Sequence, residues 1–525
     1  MCGILAYIKA NKDLSTFTEN LQKLDARGPD KSSCKIYELE DIMLGFTRLA
    51  INDLSLSGMQ PMTINNDVWL ICNGEIFNHK ELEVKYDITC KTKSDCEIIL
   101  HLYEKLSSFK DVASILDGEF AIVLYDNKKN KVYATRDRYG VRPLFFGISD
   151  GNKYGFSSEL KAINNFDNVN QMIPGTFMEL CTLNMTVIVR SYNLYILNQV
   201  YEQKDKSIDL EEDICRSINI TLKKAVEKRL MSDRPICCLL SGGLDSSLIA
   251  ALVSKHYPEY TLKTFSIGFK GSPDLHYANI VAKHIKSIHH CIELSEEDFL
   301  KNIEKTIKMI ESYDTTTVRA SVGNMLISEF ISNNTDCKVV FNGDYSDEVC
   351  GGYKYFYNAP NPLSFDEECK RLVSNICYFD SLRSDRSISG NGLEARVPFA
   401  DNDFVSLYQS IPPEMRMPKP DRIEKYLLRK AFDDENLLPS EILWRKKEAF
   451  SDGVSKPEKS WHKTIKEYVD TLVSDNEADI SNLSKESFFY KKIFDNEYPN
   501  HSNVIPYYWM PKWCGNIKDP SAREI

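Results

Sequence analysis

Apolar residues along this chain fall into two textures that change near residue 200. Up to about residue 190 they form short runs of strand length: "CGILAYI", "IMLGFTRLAI", "VWLICNG", "FAIVLYD", "KVYATRD" and "PLFFGI". Runs of this kind, bounded by polar turns, predict strands. "FTENLQKLD" and "DCEIILHLYEKL" carry a helical period instead. Many strands with few helices predict stacked antiparallel sheets between helices, an α+β unit. From about residue 208 strand and helix alternate. "LEEDICRSINITLKKAVEKRLM" reads as a long amphipathic helix. "PICCLLSGG", "LDSSLIAALVSKHY", "LKTFSIGF", "PDLHYANIVAKHI", "HHCIEL", "DFLKNIEKTIKMI" and "KVVFNGD" follow. Such alternation predicts a doubly wound α/β unit with a parallel sheet and crossover helices. After about residue 355 the pattern is mostly helical. The polar stretch "NQVYEQKDKSIDLEED" predicts a linker, which gives two domains, residues 1–195 and 208–525.

Composition narrows the classes. A chain of 525 residues is too long for one core, and 42% apolar with 27% charged residues is ordinary for a globular protein. A net charge of −11 argues against a nucleic-acid groove. No run approaches the ~18 apolar residues of a membrane span. "MCGILAYIKANKD" lacks a basic leader and a cleavage pattern. The 15 cysteines are odd in number, scattered and free of C-x-x-C pairs. That predicts reduced thiols in a cytoplasmic compartment and no zinc site.

"CCLLSGGLDSSLIAALV" is the most specific stretch. An apolar strand runs into Ser241-Gly242-Gly243, and a helix starts near Asp245-Ser246-Ser247. Glycines let backbone approach an anion closely, and N–H groups with serine hydroxyls at a helix start form an anion nest. Asp245 is placed to hold a magnesium ion against phosphates. No lysine follows the glycines, so this is not the loop of NTPases that cleave the γ-phosphate. The opening "MCG" poses a second question. Removal of Met1 would make Cys2 the amino terminus, with a thiol and an α-amine on one residue, and that amine can serve as the thiol's own base. A buried cysteine starting a strand is the alternative from the opening alone.

S-G-G-x-D-S-S resembles the signature of ATP pyrophosphatases, which activate a carboxylate by adenylylation on a doubly wound α/β domain. Further blocks resemble the glutamine-hydrolysing asparagine synthetase family: "GSPDL", "YDTTTVRAS", "SDEVCGGY", "LEARVPF", "RKKEAFSDG", "YYWMPKW" and "DPSAR". In the first half "ARGPD", "FTRLAIND", "CNGEIFNH", "KSDCE", "DGEFA" and "RDRYGVRPL" resemble its glutaminase of the N-terminal-nucleophile type. The blocks run in order through essentially the whole chain.

The resemblance implies roles residue by residue. Cys2 would attack the glutamine amide, with the Asn73 side chain and the Gly74 N–H holding the oxyanion. Arg48 would pair with the glutamine α-carboxylate, and Asp95 and Glu75 with its ammonium and backbone. As alternatives, Arg48 could be a surface ion pair and Asp95 a helix cap before "CEIIL". In the second half the aspartate β-carboxylate would attack MgATP, giving β-aspartyl-AMP and pyrophosphate, and ammonia would displace AMP. Ser241, Gly242, Gly243, Asp245, Ser246, Ser247, Asn342 and Gly343 would hold the phosphates. Leu239 and Ile267 would wall the adenine, Asp245 and Asp347 would bind magnesium, and Lys447 would stabilise phosphate charge. On spacing alone Lys447 is one more cation in "RKKE". Thr316, Thr317 and Arg319 would contact aspartate. Ammonia would need an internal, largely apolar passage, with "PLFFGI" near it. Partners are small molecules (glutamine, aspartate and ATP), with no nucleic acid or membrane, and homodimers occur in the family.

One block departs. Where the family reads S-G-E-G-S-D-E, this chain has Asn342-Gly343-Asp344-Tyr345-Ser346-Asp347-Glu348. A glutamate tied to intermediate formation becomes Asp344, and a glycine becomes Tyr345. At positive φ a tyrosine costs about 1–2 kcal/mol, and Asp344 reaches roughly 1.5 Å less than glutamate, a misplacement that predicts a slower synthetase. The alternatives are a β-lactam-synthetase-like relative, a tRNA-modifying enzyme and a regulatory protein with dead sites. The first two lack the glutamine pocket or need an RNA-binding patch. Joint retention of Cys2, Arg48, Asn73, Asp245 and Lys447 argues against the third.

Overall fold

The computed structural model describes residues 1–11, 13–193, 200–447, 453–455, 459–476, 483–515 and 519–520. Two six-stranded antiparallel sheets occupy the first 191 residues. One runs in the order Asn168–Gln171, Phe145–Ser149, Lys153–Ser157, Gly3–Ile8, Ile42–Arg48, Lys31–Tyr37. The other runs Val187–Ser191, Thr176–Cys181, Lys131–Arg136, Gly118–Asp126, Val68–Ile76, Met62–Ile64.

Strand alternation explains why these runs are apolar on both faces. Ile4, Ala6 and Ile8 meet Ile71, Ala121 and Val123 of the other sheet, while Leu5 and Tyr7 pack with Phe17 and Leu21 of the helix Leu14–Gln22. On the far side Leu70, Cys72, Ile122 and Leu124 lie under Ile98, Ile99 and Leu102 of the helix Glu97–Leu106. Each sheet is thus covered twice, by its partner and by helix, as the two textures of helical and strand periodicity require.

The second half is built on a parallel five-stranded sheet ordered Ile288–Leu294, Lys263–Phe269, Ile236–Leu239, Val339–Phe341, Glu394–Arg396. The chain winds outward from Ile236–Leu239 in one direction, then returns to its other side with Val339–Phe341. The order reverses between these two strands. Ligands of open α/β sheets bind in the crevice beyond the carboxyl ends at such a switch point. The loops leaving it are Ser241–Gly243 and Asn342–Tyr345. The fifth strand, "EAR" within "LEARVPF", is too short for its pattern to show in sequence.

Five fully or almost fully buried arginines, Arg27, Arg142, Arg229, Arg386 and Arg396, lie where the halves meet. Arg229 pairs with Glu119 at 2.8 Å and with Asp401 at 2.7 Å, and Arg142 with Glu119 at 2.9 Å. Arg386 lies 4.9 Å from the ring centroid of Phe145, in the "PLFFGI" run. The junction between the halves is therefore not apolar throughout. Apolar side chains such as Leu49, Ile51, Tyr139 and Val141 share it with a paired, charged layer.

Candidate active sites

The first candidate site forms where Gly3–Ile8 and Val68–Ile76 approach across the sandwich. Cys2 precedes the first strand, its Sγ 3.6 Å from the Leu49 carbonyl oxygen. Asn73 is fully buried, and both polar atoms of its side chain lack a hydrogen-bond partner. A buried polar group left unmade costs about 1–3 kcal/mol, so this amide is set up for a partner from outside the protein. Gly74 follows at φ 153°, and a Cβ there would lie 2.1 Å from the Glu119 carbonyl oxygen.

Glu75 is buried. Its carboxylate accepts from Asn52 and lies 3.5 Å from Arg396 of the second half. Burial, reinforced by Asp95, holds its carboxyl well above the usual range. Asp95 is not the cap of the following helix, whose N-cap is Cys96. It accepts instead from the Ile76 N–H at 2.7 Å, beside the same site. Arg48 is buried rather than a surface ion pair. It donates to the Ser55 carbonyl at 2.5 Å and to that of Asp53, and Gly58 leaves it room, since a Cβ there would be 2.5 Å from its Nη2.

Met1 is buried beside Cys2. Its amine lies 3.4 Å from the Leu393 carbonyl, and its Sδ lies beside Arg27 and Arg142. Burial lowers the amine to about 6 and raises the Cys2 thiol to about 11. A thiol so placed is inert without a base; the lowered amine belongs to Met1, and Cys2 has an amine of its own only once Met1 is removed.

The second candidate site is a cavity of about 250 Å³ at the sheet's switch point. Leu239, Ile267, Ser241, Gly243, Asp245 and Ser246 line one side, and Asn342, Gly343, Asp344 and Asp347 the other. Gly242 has φ +74°, and a Cβ there would meet Ala278 N at 2.5 Å. Gly343 lets the two loops touch, since a Cβ would lie 2.6 Å from Ser246 N. Asp245 accepts from Ser346 Oγ at 2.7 Å.

Lys425, which the sequence reading missed, lies 2.6 Å from Asp245 and 2.5 Å from Asp347. Lys447 is 2.6 Å from Asp347 and 3.6 Å from Asp245. The two expected metal carboxylates are thus gathered by two ammoniums, and Lys447 is more than a spare cation in its run. Burial alone would raise the Asp347 carboxyl, but Lys425 and Lys447 hold it well below the usual range. Burial would likewise lower Lys447, yet Asp347 and Asp245 keep it above its ordinary value. No spacing signal marks Lys425, one of two lysines in "IEKYLLRK", at φ +57°.

Three of the expected residues lie off the cavity wall or are already engaged by the protein. Ser247 is fully buried on the helix, off the cavity wall. Thr317 donates its N–H and hydroxyl to Asp314, at 2.9 and 2.8 Å, as part of a helix cap. Arg319 lines the cavity but is clamped by Glu486 (2.8 and 2.7 Å) and Asp519 (2.9 and 2.7 Å). Four of its five N–H donors are spent on protein carboxylates, which leaves little for a substrate. Thr316 stays on the wall, its hydroxyl turned to Asp314 at 2.7 Å. Of "RKKEAFSDG", residues 448–452 lie outside the described residues, as do 521–523 of "DPSAR".

The departing block is strained as expected: Tyr345 has φ +76°. Its side chain is only 2% exposed, with its hydroxyl on Ser381. Burying an aromatic side chain contributes about 1.5–3 kcal/mol, which offsets the strain. Asp344 accepts from Arg383 at 2.7 Å, and its second oxygen is buried without a hydrogen-bond partner at the cavity.

A sandwich with Cys2 just before its first strand and an unpartnered buried amide, joined to a switch-point site of paired carboxylates and lysines, defines an amidotransferase fused to a nucleotide-using synthetase. Residues 1–196 match the family model of the glutamine amidotransferase domain, and residues 217–368 and 361–516 that of asparagine synthase. The glutamine-hydrolysing asparagine synthetase of Rattus norvegicus is 42% identical over 560 residues, covering 100% of this chain and 98% of that protein. Those of Bos taurus and Homo sapiens are each 41% identical over 560 residues with the same coverage. The chain belongs to the glutamine-hydrolysing asparagine synthetase family.

Proposed function

We propose that this enzyme makes L-asparagine from L-aspartate and ATP, using ammonia from glutamine, with β-aspartyl-AMP as intermediate and AMP, pyrophosphate and glutamate as the other products. Residues 1–195 serve as the glutaminase and residues 208–525 as the synthetase. The reading is carried by one observation. A chain matched end to end by synthetases of this name keeps both the unpartnered Asn73 amide and the Asp245–Asp347 pair at the switch point.

In the first site Cys2, freed of Met1, attacks the glutamine carboxamide carbon while its own amine takes the thiol proton. The Asn73 amide and the Gly74 N–H receive the oxyanion. Arg48 holds the glutamine carboxylate, and Glu75 and Asp95 hold its ammonium. The amine returns the proton to the leaving ammonia, and water then hydrolyses the thioester. In the second site the Ser241–Ser246 nest and Asn342-Gly343 cradle the phosphates of ATP, with the adenine against Leu239 and Ile267. The aspartate β-carboxylate displaces pyrophosphate near Asp344 and Thr316, and Lys447 and Lys425 offset the charge that builds there. Asp245 and Asp347 offer oxygen donors only, which suits magnesium, and the ion would neutralise phosphate charge when bound.

No helix among the described residues is long and apolar enough to cross a membrane. We place the enzyme in the cytoplasm, on its free thiols, and as a homodimer, on its family. The test follows oxygen: with aspartate labelled by 18O in its β-carboxylate, label should appear in AMP. Formation of ADP, or of AMP without label, would exclude the adenylate route.

A further inference from the structure

One ten-residue helix touches both sites. Asp380–Ser389 carries Ser381, Ser384, Asp385 and Ser389 on one face, by the i, i+3, i+4, i+8 spacing. Toward the nucleotide cavity it holds three members of one loop. Ser384 accepts from Asn342 Nδ2 at 3.0 Å, Ser381 meets the Tyr345 hydroxyl, and Arg383 pairs with Asp344 at 2.7 Å. Toward the glutaminase Asp385 accepts from Arg27 at 2.7 and 3.4 Å, and Ser389 accepts from the same guanidinium at 2.9 Å. Arg27 is fully buried, and its Nε donates to the Cys2 carbonyl at 3.0 Å. Two links therefore separate the nucleophile's backbone from this helix, and one link separates the helix from the loop that faces the nucleotide.

We propose that the Asp380–Ser389 helix couples the two sites, with Asp385 as a positioning residue that sets the Cys2 backbone through Arg27 according to the state of the Asn342–Tyr345 loop. The inference rests on the two-site reading above. A ligand drawing on Asn342 or Asp344 shifts the hydrogen bonds these residues share with Ser384 and Arg383. The helix is short and packed, so its two ends move together. Near-attack geometry is sensitive to displacements of about 1 Å, which can cost about 100-fold, so a small shift at Arg27 is enough to change the glutaminase rate. The plain alternative is that Asp385 only neutralises a buried guanidinium, a task Glu159 already shares at 2.9 Å.

Glutamate release from glutamine distinguishes these, measured on the full chain with and without MgATP and aspartate, beside asparagine formed from free ammonia. The wild type should hydrolyse glutamine several-fold faster when the second site is filled. Asp385→Asn should lose that response and lower the glutaminase kcat about tenfold, with KM for glutamine within about twofold and ammonia-dependent synthesis within about threefold. Asp385→Glu should restore part of the response. Ser384→Ala, which removes only the bond to Asn342, should also blunt the response, and it decides the matter if Asp385→Asn loses both activities through misfolding. A wild type indifferent to the second site's ligands, or a Ser384→Ala variant with the full response, overturns the coupling. A wild type that makes no asparagine from either nitrogen source overturns the function itself, and so separates the two failures.

Discussion

The glutamine site and the nucleotide site are built in opposite ways. At the first, the decisive groups come from strands far apart in the chain, and the central amide of Asn73 waits without a partner inside the protein. At the second, every charged group of the centre already has an opposite charge: Asp245 and Asp347 face Lys425 and Lys447 at 2.5–3.6 Å. The contrast follows from the reactions proposed. Hydrolysis of a neutral amide generates one oxyanion, which unspent donors stabilise best. Adenylylation brings a carboxylate to a polyphosphate, and counter-charges must already be gathered there.

The largest effect comes from separating the sites outright. Cys2→Ala should cut glutamine-dependent asparagine formation by at least about 1,000-fold and leave ammonia-dependent formation within about twofold. Equal loss of both, in a parallel assay of the two nitrogen sources, would make Cys2 structural. Lys447→Ala should strike the other way, lowering synthesis from either source by about 100- to 1,000-fold while glutamine hydrolysis persists. Retention of synthesis would confine Lys447 to pairing with Asp347.

The sequence alone suggests that Asp344→Glu together with Tyr345→Gly would speed synthesis. The buried Tyr345 side chain adds a stability cost to the second change. Relief of about 1–2 kcal/mol of backbone strain is set against about 3–5 kcal/mol for the emptied space. Tyr345→Gly should therefore lower Tm by several degrees, and Tyr345→Phe, which keeps the ring, should lower it less. A glycine variant more stable than the wild type would show that the ring packs poorly.

The smallest effect is a pH dependence at Glu75, whose folded pKa lies above its ordinary value through burial and Asp95. The glutamine ammonium needs the carboxylate, so KM for glutamine should rise as pH falls through the raised pKa, and Glu75→Gln should flatten that limb. The sign for stability is the reverse. Neutral Glu75 favours the fold fully below about 4.3, and that contribution is lost as pH rises through the folded pKa. Glutamine should thus raise Tm more above the raised pKa of Glu75 than below it; an equal rise on both sides would remove Glu75 from the binding of the ammonium.

The same contrast governs what the sequence reveals. The loop Ser241–Ser247 is contiguous, so the strand Ile236–Leu239, the helix Leu244–Ser254 and most of the nest are legible at once. Ser247 is the exception, because helical rotation turns it into the core, which spacing in a loop does not show. Lys425 arrives from 180 residues beyond Asp245 with no pattern of its own. The carboxylate partners of Arg319 lie 167 and 200 residues away, and local reading cannot tell a clamped arginine from a free one. Apolar periodicity finds the strands of both halves but is blind to their junction, where buried arginines look like surface charge until the halves are packed.

The central claim is that two unlike sites in one chain serve a single reaction, and nitrogen tests it most directly. With glutamine labelled by 15N at its amide, aspartate and MgATP, the enzyme should form 15N-asparagine, glutamate, AMP and pyrophosphate in equal amounts. Glutamate released with no labelled asparagine, or asparagine whose nitrogen comes from unlabelled ammonium in the buffer, would contradict it.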